Sequence, residues 1–209
     1  MTSINSAGTV KLIETIASAM FENKNKLIEL DSAIGDGDLG LTMERGFKAA
    51  YQLSITIKDE QPGKILMKSG MEIAKVAPST MGTLMGTGFM RGGKAVLNKE
   101  ELTADDLTEF FCAFLQGVID RGKAKTGEKT ILDVLDPLVK EMKNTNTEDI
   151  SEVLQAAVNG AKAGLEAEKN MISQHGKAAV FREKTLNQED PGSVAVYIMV
   201  EACLKSLND

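Results

Sequence analysis

Within the segment Asp31-Ser-Ala-Ile-Gly-Asp-Gly-Asp-Leu-Gly40, three carboxylates fall in eight residues, with glycines between them. Carboxylates that close on one another repel. The glycines let the backbone bend so that Asp31, Asp36 and Asp38 can nevertheless converge. Convergence becomes favourable when a hard divalent cation sits among them, because Mg²⁺ and Ca²⁺ take oxygen ligands. The residues alone leave a second reading open, a solvated acidic turn in which Asp38 caps the helix that follows.

Several familiar phosphate and metal motifs come close and fail on chemistry. Gly35, Gly37 and Gly40 spell G-x-G-x-x-G after an apolar Leu27–Leu30 stretch. A dinucleotide fold, however, holds bare pyrophosphate on backbone N–H groups, and Asp36 and Asp38 would repel it. An EF-hand counted from Asp36 puts Gly40 where an oxygen ligand belongs, and one counted from Asp31 lacks the central glycine. Gly88-Phe-Met-Arg-Gly-Gly-Lys94-Ala95 has P-loop spacing until Ala95, which lacks the magnesium-binding hydroxyl. That stretch reads instead as small, helix-facing residues with a surface lysine. His175 is the sole histidine of the chain, so no Ser/His or Cys/His nucleophilic system is supported. It is expected in a loop near the site.

The elements that must position this loop are helical. Val10, Ile13, Ile16, Ala17, Met20 and Phe21 repeat at i, i+3, i+4 spacing, as do Leu107, Phe110, Phe111, Phe114, Leu115 and Val118. Further stripes run through Ile131–Met142 and Ile150–Leu165, and helices are expected near 41–53, 62–77, 83–97 and 192–207. Thr103 with Asp106 forms a capping-box pattern ahead of the second stripe. Leu53–Ile57 alone alternates like a strand, too short to build a sheet. The fold class expected is all-α, a single domain over 1–209 made of about eight antiparallel amphipathic helices. The irregular segments 31–40, 78–83, 122–129 and 173–192 are alternate connections, which meet at one end of such a bundle.

Composition agrees. Of 209 residues 43% are hydrophobic and only 4% aromatic, with no Trp and 11 Met, a set suited to close-packed helices. The net charge of −6 lacks the basic face a nucleic-acid binder needs. Cys112 and Cys203 lie far apart in apolar helical patterns and read as buried free thiols. No run approaches 18 apolar residues and no basic-then-apolar segment opens the chain, so no membrane association and a cytoplasmic location are expected.

Taken in order, the loops resemble the nucleotide-binding subunit of dihydroxyacetone kinase, the family usually called DhaL. Leu30–Gly40 followed by Met43 and Arg45-Gly46-Phe47 is similar to its magnesium loop. Met81-Gly-Thr-Leu-Met-Gly-Thr87 with Phe89 and Arg91 resembles its glycine-rich loop. Lys125-Thr-Gly-Glu-Lys-Thr130 before Leu132-Asp133 resembles the third, and Asp190-Pro-Gly192 the last. The resemblance implies an eight-helix barrel with ADP or ATP and two Mg²⁺ ions at one end, and it carries the metal role onto Asp31, Asp36 and Asp38. Nucleotide contacts are carried onto Leu39, Gly40, Leu41, Thr42, Met81, Gly82, Gly122, Ile131, Lys177, Asp190, Pro191 and Gly192. Three positions depart from the family: Leu39 stands for its usual His, Met81 for Ser, and Lys177 for Arg. Lys177 is the expected catalytic cation.

The function so implied is phosphoryl transfer within a multi-subunit dihydroxyacetone kinase. Bound Mg-ADP would be the coenzyme, charged by a phosphohistidine donor subunit of the phosphotransferase system. A ketose-binding subunit would hold the acceptor. The alternatives are an ATP-dependent kinase of another short ketose such as erythrulose, and a nucleotide sensor acting on a transcription regulator. A homodimer is expected.

Overall fold

The computed structural model describes residues 1–207. Nine α-helices account for most of it: α1 (Ser6–Glu22), α2 (Lys24–Ile34), α3 (Leu39–Thr56), α4 (Pro62–Val76), α5 (Thr80–Ala95), α6 (Ala104–Gly122), α7 (Leu132–Asn144), α8 (Ile150–Glu168) and α9 (Pro191–Lys205). A 3₁₀ segment, Lys177–Thr185, precedes α9. No strand occurs among the described residues, only an isolated bridge between Ile4 and Leu102. None of the described helices is long and apolar enough to cross a membrane.

Eight of these helices close a ring. Each packs on its neighbour in the order α1, α3, α4, α5, α6, α7, α8, α9, and α9 returns to α1. The helix stripes point inward, and their buried side chains form one continuous core. Phe89 stands in its centre, with ring centroids 5.7 Å from each of Phe47, Phe110 and Phe114 in edge-on contacts. The P-loop-like stretch lies inside α5, where Gly88 faces the ring of Phe114 so closely that a Cβ would come within 2.5 Å of it. The capping box at α6 is present: Asp106 N–H donates to Thr103 Oγ1 at 3.3 Å and Thr103 N–H donates to Asp106 Oδ2 at 2.9 Å.

Four details differ from expectation. The Leu27–Leu30 stretch belongs to helix α2, which lies outside the ring along the start of α3, so Asp31 is helical and not in a loop. The alternating Leu53–Ile57 is the last turn of α3, because helical packing outweighs a five-residue pattern. Phe21, placed on the apolar stripe of α1, is 60% exposed; it sits at the helix end beside the Lys24 ammonium, 5.2 Å from its ring centroid. Cys203 is buried and its thiol is pushed up to about 12 by that burial, whereas Cys112 is only half-buried.

Candidate functional site

Alternation of direction around the ring brings the N-termini of every second helix to one end. The N-termini of α3, α5, α7 and α9 meet the C-termini of α4 and α6 around one cleft of about 1010 Å³, at the upper end of the size of ligand clefts. All four irregular segments contribute to its wall, as the up-and-down reading required. Uncapped backbone N–H groups and aligned peptide dipoles make each helix start attractive to anions. Four helix starts border this space; those of α3 and α7 carry no side-chain cap, while Ser79 and Asp190 each cap one N–H of α5 and α9.

The acidic set stands on one side. Asp31, Asp36 and Asp38 each present a carboxylate oxygen within 4.8 Å of the others. Asp31, at the end of α2, accepts the N–H of Leu39 on Oδ2 at 3.1 Å, which ties the end of α2 to the first residue of α3. Asp38 occupies the N-cap position of α3 but makes no side-chain cap bond, so its carboxylate is left to the cluster. The capping alternative is therefore not what the side chain does. Asp36 forms an ion pair with Lys177. That hydrogen bond holds the Asp36 carboxyl below the usual carboxylate range and raises the Lys177 ammonium, both groups being exposed. An all-oxygen set whose one charged partner is an exposed lysine fits a hard divalent ion.

Of the residues singled out in the sequence, Leu39, Met81, Gly122, Ile131, Lys177, Asp190, Pro191 and Gly192 line the cleft with the three aspartates. Gly40, Leu41, Thr42 and Gly82 do not. Gly40 is where α3 lies against α2: a Cβ there would meet the carbonyl of Lys24 and the Ile28 side chain. Leu41 faces outward, 47% exposed. Thr42 N–H is spent on Asp38 O, and Gly82 N–H on the N-cap hydroxyl of Ser79 at 3.1 Å. His175 is on the cleft wall in a loop, its Nε2 2.6 Å from Glu128 Oε2. Glu128 is held below its usual range, first by the Lys125 N–H and then by His175.

Several residues were given no role in the motif reading. Ser79, Thr80, Thr83 and Arg121 line the cleft. Asp133 buries its carboxylate under the third loop, accepting Gly127 N–H at 2.5 Å and Thr130 N–H at 2.9 Å. Below the last loop lies Glu168, fully buried, whose Oε1 accepts the N–H of Asp190 at 2.8 Å while Oε2 has no partner. Its spacing from Ala161 and Leu165 puts it on the apolar stripe of α8, and an acid on such a stripe is a readable signal. Burial, and next the charge of Asp190, push its carboxyl up to about 8; burial likewise raises Asp190 to about 6.

A stability prediction follows from Glu168. Its folded-state value lies above the 4.5 of a free glutamate. The native state therefore binds the proton more tightly than the unfolded chain, and stability falls as pH rises from about 4.5 through about 8. The loss should reach the order of a few kcal/mol. Glu168→Gln keeps the acceptor for Asp190 and should flatten this slope, giving a variant more stable than the parent above pH 8. Urea unfolding across pH 5–9 measures it, and parallel slopes for the two proteins would refute a buried, proton-binding Glu168.

Fold and site together define an all-helical barrel with an acidic, cation-ready cleft at one end. The chain belongs to the DAK2 domain family, matched over residues 33–205. It is 33% identical over 177 residues to the PEP-dependent dihydroxyacetone kinase, ADP-binding subunit DhaL, of Escherichia coli strain K12, covering 84% of each chain. With the corresponding subunit of kinase 1 of Listeria innocua it shares 32% identity over 188 residues, covering 88% of each. Solved structures of the dihydroxyacetone kinase of C. freundii superpose on 99% of this chain. The native form does so with a TM-score of 0.72 at 20% identity, and the complex with AMP-PNP and Mg²⁺ with 0.69 at 22%. This chain spans about a third of those longer chains (36% and 35%), and the likeness carries the fold alone.

Proposed function

We propose that the chain is the nucleotide-binding subunit of a phosphoenolpyruvate-dependent dihydroxyacetone kinase. Its Mg-ADP is a bound coenzyme, recharged by a phosphohistidine donor subunit and discharged onto dihydroxyacetone held by a ketose-binding partner. The observation that carries this reading is the juxtaposition, around one cleft, of three carboxylates, Lys177 and four helix N-termini. Carboxylates alone would repel a phosphate chain, and helix starts alone would not need them. Both are accounted for when divalent cations bridge acid and phosphate. The relatives of comparable length are ADP-binding subunits by name, which favours the coenzyme role over that of a free-standing kinase.

In this assignment Asp31, Asp36 and Asp38 hold the metal. They offer one oxygen each within 4.8 Å of one another, and each carboxylate has a second oxygen, so the set has enough ligand atoms for two ions to share it. Bound Mg²⁺ supplies charge compensation for the phosphates and polarises the transferring group. Met81, Leu84 and Ile131 offer the apolar surface a base requires. Thr80, Thr83, Gly192 and the starts of α5 and α9 turn N–H and hydroxyl donors to the phosphates. Lys177 provides the positioned cation for transfer. The exposed mouth of the cleft is where the phosphohistidine donor and the ketose-binding subunit approach in turn.

Binding is tested through stability. At free Mg-ADP about 100 times its dissociation constant, unfolding should require roughly 2.7 kcal/mol more, and a chelator should remove the gain. A melting temperature unmoved by either would end the nucleotide reading. Native mass spectrometry of the purified chain separates the two kinase readings: retained ADP supports the coenzyme, an empty site an exchangeable ATP.

A further inference from the structure

The segment from Met171 to Gln188 forms an arm over the cleft, and its base is closed on a buried lysine. Lys129 is 1% exposed, in the third loop, with a left-handed backbone (φ 55°) that a lysine adopts only under constraint. Its ammonium forms no hydrogen bond to a carboxylate. It donates instead to three backbone carbonyls: Thr185 at 2.5 Å, Gln188 at 2.8 Å and Met171 at 3.3 Å. Those carbonyls bracket the two ends of the arm. An ammonium has three N–H groups, and here all three are spent on the places where the arm leaves and rejoins the barrel. Asp190, and Glu168 once it has lost its proton, supply nearby negative charge, which makes a buried cation tolerable. Further bonds cross the same base, from Ser173 N–H to Thr185 Oγ1 at 3.0 Å and from Asn187 N–H to Lys169 O at 2.8 Å.

The arm carries His175 and Lys177 into the cleft. It has two other anchors, at Glu128, whose carbonyl accepts Gln174 N–H at 3.1 Å and whose carboxylate meets His175, and at Asp36, which pairs with Lys177. The second of these is a contact that any cation on the acidic set must compete for. Once it is surrendered, the placement of Lys177 depends on the base of the arm and on the Glu128 anchor.

We propose that Lys129 is a positioning residue, the latch that seats the 171–188 arm so that Lys177 stays aimed into the cleft when the aspartates hold metal. This rests on the nucleotide reading for its consequence in transfer, though not for the latch itself. Replacement by Met, of similar length and without donors, releases three carbonyls at once.

The test uses the full chain as Lys129→Met, Lys177→Ala and the double variant. Hydrogen exchange of residues 172–187 should quicken about tenfold or more in Lys129→Met, since hydrogen bonds to a charged donor are lost. The amides of α3 and α9 should hold. Phosphoryl transfer, measured with Mg-ADP, dihydroxyacetone, the ketose-binding partner and a phosphohistidine donor subunit kept charged from phosphoenolpyruvate, should fall in each single variant. The double variant should be little worse than Lys177→Ala, because both changes remove the same cation from the same place. Unchanged exchange in the arm overturns the latch. Losses that multiply in the double variant show that Lys129 does not act through Lys177 and overturn the positioning role. If the parent binds no Mg-ADP, the nucleotide reading fails, while the exchange comparison still decides whether Lys129 holds the arm. Should the Met variant not fold, Lys129→Arg serves in its place. Its planar fork cannot reach three divergent carbonyls, so it should loosen the arm as well, and an arm left fully protected by Arg counts against the proposal.

Discussion

Asp36→Asn should weaken Mg-ADP binding by more than the roughly 10- to 100-fold that loss of a ligand's supporting partner costs a metal site. The substitution leaves size and one oxygen in place and removes a charge from the set of three. Asp31 cannot be used so cleanly, because its carboxylate also ties α2 to α3 through Leu39 N–H. Asp36 is exposed, and its one side-chain partner is Lys177. Calorimetry with and without magnesium reads the effect, and Asp59→Asn, on an exposed turn, controls for the change in net charge. An unchanged, magnesium-dependent affinity would remove Asp36 from the metal set and return the loop to a solvated acidic turn.

Lys177→Ala should do the opposite, sparing binding and depressing transfer. Negative charge moving with a phosphoryl group must be compensated at the transition state, and loss of one positioned donor there costs about 10²–10³-fold in rate. Ground-state binding has other sources in the acidic set and the helix starts. In the structure Lys177 occupies Asp36, the very carboxylate a metal ion would claim, so removing it also removes a competitor. Mg-ADP affinity should therefore change by less than about tenfold, while transfer to the ketose falls by the larger factor. Lys177→Arg should retain transfer, since a guanidinium can grip both a carboxylate and a phosphate with its planar fork. Equal losses in affinity and turnover would reduce Lys177 to a binding contact. Full activity in the alanine variant would move the role to Arg121, the other exposed Lys or Arg side chain on the cleft wall. Arg182 and Lys184, in the same arm, do not line the cleft.

Much of this molecule was legible along the chain because its signals are local. Apolar spacing at i, i+3, i+4 names a helix and its buried face wherever packing agrees, and the start of α6, with its Thr103–Asp106 box, was readable to the residue. The acidic loop was legible for the same reason: three aspartates and their glycines lie within ten positions, and their mutual repulsion poses the question of a cation without any knowledge of the fold. Where local pattern and packing disagreed, packing won. The end of α3 alternates like a strand yet is helical, and Leu27–Leu30 forms part of a short helix laid across the start of α3.

Only the tertiary structure decided which residues share the site, since that depends on which ends of which helices meet. Four N-termini separated by scores of residues aim at one cleft because the ring alternates direction, and no window of sequence contains that sum of dipoles. Gly40 and Gly82 belong to the motifs that carry the chemistry yet stand in the first turns of α3 and α5, where backbones touch. Lys177 and Asp36, 141 positions apart, become an ion pair. Lys129 reads as one more charge in a polar loop until its three acceptors, 42 to 59 residues away, are in view. A buried ammonium is stable only where such acceptors converge, and their convergence is a property of the folded chain.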